Sequence, residues 1–131
     1  MPEYPSPPRN TWSRKFRVAF RGVKLGVRGQ TSYFAHLFIA AAVVVASLVL
    51  KVSMSEWCVL LLCIAGVLTA EMFNSALEAL ARAITREHNP EIRDALDMAS
   101  AAVLMAAIGS AMIGALVFVY RLGLMTGWWA G

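Results

Sequence analysis

Glu71, Asn74 and Glu78 interrupt the end of an otherwise apolar segment. Offsets of 0, 3 and 7 residues fall on one face of a helix with 3.6 residues per turn. The fourteen residues before them, Trp57 to Ala70, carry no charge. A helix crossing the ~30 Å hydrocarbon layer needs about 20 residues, so a span beginning near Trp57 carries Glu71 and Asn74 into the membrane and leaves Glu78 at its rim. A carboxylate at that depth costs roughly 2.5 kcal/mol or more, and such residues face a protein interior and serve a function. A carboxylate can take a proton from an alcohol if burial lifts its proton affinity toward working pH. A second carboxylate can hold a hard divalent cation bridging nucleotide phosphates, and nearby arginines can neutralise those phosphates. Such a set permits phosphoryl transfer to a lipid hydroxyl by positioning and charge neutralisation. It also fits an ion or proton pathway. No glycine-rich phosphate loop of either common pattern is present.

The elements that must position these residues are helical and membrane-bound. The chain has 131 residues, 59% of them hydrophobic, with mean hydropathy +0.62, well above an ordinary soluble domain. Three apolar blocks are long enough to span, at about 33–50, 57–80 and 99–120. A removable leader is not indicated for the first block, since 32 residues precede it and no small-residue cleavage pattern follows. Cys58 and Cys63 lie five apart on one helix, on different sides, and read as small apolar packers.

Residues 1–8 are proline-rich and expected to be disordered; 9–131 form one membrane domain. Over 10–28 an amphipathic surface helix is expected. Trp12, Phe16, Phe20, Val23 and Val27 make an apolar stripe, and Arg14, Arg17, Arg21, Lys24 and Arg28 a basic one. The aromatic stripe suits a bilayer surface, not a nucleic acid. Seven basic and no acidic residues between Arg9 and Arg28 place the N-terminus in the cytoplasm. Three spans then put Arg82–Met98 on the same side. Lys51 and Ser53 to Glu56 form an external turn, Asn89-Pro90 a turn, and Asp94 or Asp97 the approach to span three, with Asp97 a candidate helix cap. Ala102, Ala106, Ser110 and Gly114 form a ridge of small residues for close helix packing. Three thin helices do not readily shield a polar stripe from lipid, so self-association is expected.

Glu71-Met-Phe-Asn74-Ser-Ala-Leu-Glu78 resembles the E-x-x-N-[ST]-A-[IL]-E motif of the small prokaryotic diacylglycerol kinase and undecaprenol kinase family. Leu96-Asp97-Met98-Ala99-Ser100-Ala101-Ala102-Val103 resembles its second motif, A-K-D-[MVA]-[GA]-[SA]-[AG]-A-V, and the resemblance runs over roughly residues 14–120. It implies an all-α integral membrane fold of a surface helix plus three transmembrane helices. It also implies a homotrimer in the inner (cytoplasmic) membrane and a lipid kinase using ATP with Mg2+ on diacylglycerol or undecaprenol. Carried over, Glu71 is the base and Glu78 binds the metal, with His36 at the position of a second metal-binding group. Arg17, His36, Glu78, Glu87, His88 and Asp97 face the nucleotide, and Asn74 and Ser100, with Glu71, face the lipid. A histidine at position 36 tilts the reading toward the polyprenol branch.

Two positions depart from the pattern. The family has Lys immediately before the Asp of its second motif, where this chain has Leu96, and Asp one turn beyond the second Glu, where it has Arg82. Relocation of the lost cation to Arg82 or Arg93 is one expectation. A catalytically impaired, kinase-like scaffold is the alternative.

Overall fold

The structure is a computed structural model and describes residues 11–28 and 31–129. The expected disorder of residues 1–8 lies outside them. Among the described residues there are four helices and no strand: α1 (Trp12–Val27), α2 (Thr31–Val49), α3 (Met54–Ile84) and α4 (Pro90–Thr126). The last three are long and apolar enough to cross a membrane. The protein is a multi-pass membrane protein.

Local chemistry sets the helix ends. Ser53 and Glu56 start α3 with a reciprocal capping box, in which the Ser53 backbone N–H donates to Glu56 Oε2 at 2.6 Å. Glu56 is therefore inside the helix, not in the turn expected over Ser53 to Glu56. α4 corrects the sequence reading further. The Asn89 side chain accepts from the backbone N–H groups of Glu91 (3.0 Å) and Ile92 (3.2 Å), and Pro90 occupies the first turn, where its missing N–H has no partner to lose. The helix that carries span three thus begins nine residues before Ala99, and Asp97 stands well inside it, where it caps nothing. At 1.5 Å per residue, α3 (31 residues) is about 46 Å long and α4 (37 residues) about 55 Å. Both outrun the ~30 Å hydrocarbon layer and project beyond it as a pair.

α3 is the hub: it packs most extensively on α4, then on α2, then on α1. Ser110 donates to the Cys63 carbonyl at 3.4 Å, and Gly114 is buried, so the lower half of the small-residue ridge faces α3, while Ala102 is exposed. The apolar core is small, with Leu60 and Val67 buried among few others; Phe38, Leu62, Met105 and Leu116 point outward, as expected where lipid is the solvent. α1 has no buried residue and leaves Trp12, Phe16 and Phe20 exposed. It lies against α3 at Gly26, where a Cβ would collide with the Met72 sulfur. This is the arrangement of a helix lying on the membrane surface beside the site.

Candidate functional site

The polar stripe of α3 faces the interior of a single chain. Glu71 is 2% exposed and Asn74 8%. Self-association is therefore not needed to shield them, which corrects the argument from thin helices. Two groups one turn apart on α2 hold the Glu71 carboxylate: His36 Nε2 lies 3.0 Å from Oε1, and Ser32 Oγ donates to Oε2 at 3.2 Å. Among the described residues its ion-pair and hydrogen-bond partners are an imidazole and a hydroxyl.

One turn along, Asn74 links three elements of the site. Its Nδ2 donates to Glu78 Oε1 at 3.0 Å, and its Oδ1 accepts from Ser100 of α4 at a long 3.5 Å. Glu78 also meets Arg82 Nη1 at 3.7 Å, with the arginine mostly exposed. Such a pair contributes at most about 1 kcal/mol, so Arg82 remains able to turn to an incoming anion. Between Asn74 and Glu78, Ser75 is buried and its hydroxyl has no partner among the described residues.

Beyond Glu78, the projecting ends of α3 and α4 enclose a polar cleft of about 410 Å³. Glu78, Arg82, Glu87, His88, Arg93 and Asp97 all line it, and Leu96 contributes an apolar wall. On the membrane side, His36 opens onto an apolar groove of about 370 Å³ between α2, α3 and α4, lined by residues such as Val43, Val67, Ala107 and Gly114. The buried carboxylate thus sits between a charged cleft and an apolar groove.

Most residues expected from sequence are brought together: Glu71 with His36; Asn74 with Glu78 and Ser100; Glu87, His88, Asp97, Arg82 and Arg93 around one cleft. Arg17 is exposed on α1, and no contact among the described residues ties it to the cleft. His36 is engaged with Glu71, and the described residues contain no cluster of three His, Cys, Asp or Glu able to hold a metal by themselves. Ser32 was not anticipated. A serine at a helix start reads as a cap, and the available signal was its i, i+4 spacing from His36.

A three-span helical protein with a buried carboxylate below a polar cleft has the features of a membrane enzyme, and comparison with known proteins gives the family. The family model described as prokaryotic diacylglycerol kinase matches residues 17–118. An undecaprenol kinase of Bacillus subtilis (strain 168) is 32% identical over 113 residues, covering 86% of this chain and 92% of the relative. A diacylglycerol kinase of Synechocystis sp. is 32% identical over 100 residues, covering 76% of this chain and 57% of that relative. No solved structure matches the chain. The chain belongs to the prokaryotic diacylglycerol kinase family and is a lipid kinase.

Proposed function

We propose that this enzyme transfers the γ-phosphoryl group of ATP, carried with Mg2+, to the hydroxyl of a membrane lipid at the cytoplasmic leaflet. The observation that carries this reading is the placement of Glu71, buried between an apolar groove fit for a lipid chain and a cleft lined by arginines. Undecaprenol is favoured over diacylglycerol as acceptor. The relative named for it spans more of both chains.

Each residue has a part in this scheme. Glu71 is the base on which the proton released by the hydroxyl is balanced, and His36 orients it. Asn74 holds Glu78 in place through a bond that leaves the second Glu78 oxygen facing the cleft side, toward Arg82. Mg2+ fits this donor set, because it binds through one or two carboxylates plus nucleotide phosphates instead of a cage of side chains. Glu78 would hold it there, and when bound it offsets phosphate charge. Arg93 and Arg82, with His88, surround the cleft from which Leu96 offers no cation; they meet the phosphates in place of the family lysine. The basic run from Arg9 to Arg28 sets the orientation, with the cleft in the cytoplasm. Assembly as a homotrimer is proposed from the family resemblance.

The test is phosphate transfer from radiolabelled ATP in mixed micelles, with undecaprenol and diacylglycerol offered separately. Product from either lipid, lost in Glu71→Gln, is expected. Folded protein with no product from either would overturn the reading and favour the kinase-like scaffold, with Leu96 as its cause. Arg93→Ala and Arg82→Ala are each expected to raise the KM for ATP by about tenfold, the loss of one charge-assisted contact of about 1.4 kcal/mol. Unchanged KM in both would remove the relocated cation.

A further inference from the structure

We infer that the hydroxyl of Ser32 is a catalytic group, receiving the proton of the acceptor lipid and passing its own to Glu71. The inference rests on the lipid-kinase reading and adds a residue to it. A general base must come within hydrogen-bond reach of the proton it removes, or reach it through one intervening group. Glu71 is shielded from direct approach by burial: its side chain is 3% exposed, and α2 supplies a partner to each carboxylate oxygen. Ser32 is the exposed member of the trio, in the first turn of α2. Its single proton is committed to Glu71 Oε2, at 3.2 Å, and a hydroxyl oxygen that donates still has lone pairs with which to accept. It is an exposed group in hydrogen-bond contact with the buried oxygen. His36 is the other partner, but its Nε2 points at Oε1, and an imidazole holding that position fixes the carboxylate while Ser32 conducts.

The step balances without further reagents. The lipid O–H donates to Ser32 Oγ. As the lipid oxygen forms its bond to the γ-phosphorus, its proton moves to Ser32 Oγ, and the Ser32 proton moves to Glu71 Oε2. The bond from the γ-phosphorus to its bridging oxygen breaks, and ADP leaves with that electron pair. Ser32 ends as a neutral hydroxyl and Glu71 ends protonated, to be returned to solvent before the next turnover.

Ser32→Ala and Ser32→Thr separate this role from a structural one. In single-turnover assays on the lipid that the wild type phosphorylates, Ser32→Ala is expected to lower the transfer rate at least about tenfold, toward the 10²–10⁴-fold range for proton-transfer catalysis. The KM for ATP should stay put, and size-exclusion elution and thermal midpoint should match the wild type. Ser32→Thr keeps the hydroxyl and is expected to restore most of the rate. The proton inventory in H2O–D2O mixtures should be bowed in the wild type, with two protons in flight, and straight in Ser32→Ala. A full rate in Ser32→Ala alongside an inactive Glu71→Gln would overturn the relay and leave the lipid kinase standing. So would equal losses in Ser32→Ala and Ser32→Thr, or a full rate in Ser32→Ala with an inactive His36→Gln. A wild type that phosphorylates neither lipid fails at the earlier step and overturns the kinase reading itself.

Discussion

Glu56 and Glu71 are carboxylates on the same helix, fifteen residues or about 22 Å apart, and the protein treats them in opposite ways. At the far end of α3, Arg121 of α4 approaches Glu56 Oε2 through both Nε, at 2.8 Å, and Nη2. The Ser53 hydroxyl (2.8 Å) and backbone N–H (2.6 Å) converge on that same oxygen. Glu56 is thus saturated by a permanent cation and a helix cap; it ties the start of α3 to the end of α4 and has no room for chemistry. Among the described residues Glu71 has no arginine or lysine partner and no cap. Its partners are an imidazole and a hydroxyl, both able to carry protons. A guanidinium locks a carboxylate as an anion, whereas neutral or titrating donors hold its position and leave it able to take a proton. The partner on the adjacent helix, more than burial, divides the structural acid from the one proposed as the base.

The contrast is broken most directly by exchanging the two roles. Glu71→Gln keeps an isosteric acceptor but removes the base, and a fall in turnover of about 10²–10⁴-fold is expected, with stability little changed. Glu56→Gln should leave turnover within about threefold of wild type, since it touches no substrate. If the two variants lost turnover equally, the division between the ends would be wrong.

Arg121→Ala tests the structural end from the other side. It leaves the Glu56 carboxylate with its cap but without its cation. A measurable loss of stability is expected, because the charge-assisted link between α3 and α4 is removed, read by reversible SDS-driven unfolding in mixed micelles. The transfer rate of the folded fraction should be unchanged. A rate that fell with stability intact would mean that the far end acts on the site through α4.

Asn74→Ala sharpens the comparison within the working end. It removes the bond to Glu78 and the long one to Ser100, but leaves Glu71 and its α2 partners alone. About a tenfold loss in transfer rate is expected, 1.4 kcal/mol of positioning. Ser100→Ala, which loses only the 3.5 Å contact, should cost much less. A larger effect at Ser100 than at Asn74 would reverse the order of support.

Much of this was legible before any coordinates. The spacing of Glu71, Asn74 and Glu78 put them on one face, and the apolar blocks located the three long helices, because helical period and apolar run length are local constraints. What escaped the sequence was set by partners distant in the chain or by short-range competition between signals. The start of α4 was missed because Asn89-Pro90 reads equally as a turn and as a cap followed by a tolerated first-turn proline; the backbone chose the second. Glu56 with Arg121, 65 residues apart, was invisible, since each alone is an ordinary charge at a membrane edge. The same holds for Ser32 with Glu71, 39 residues apart. Burial of the polar stripe within one chain was also beyond sequence, because it depends on how closely α2 and α4 approach α3.

The smallest expected effect concerns the cap that distinguishes Glu56 from Glu71. Ser53→Ala removes the hydroxyl that bonds Glu56 Oε2 and accepts weakly from the Glu56 backbone N–H at 3.4 Å, but retains the Ser53 backbone N–H to the carboxylate. Loss of a cap serine costs about 1 kcal/mol, and Arg121 still fixes the carboxylate, so the cost here should fall at or below that figure. Measured against Arg121→Ala, the double variant separates the two supports. They share one oxygen, so their energies should not add. If they did add, cap and cation would be independent fixings of the helix end, and saturation of a single oxygen would not be what sets Glu56 apart.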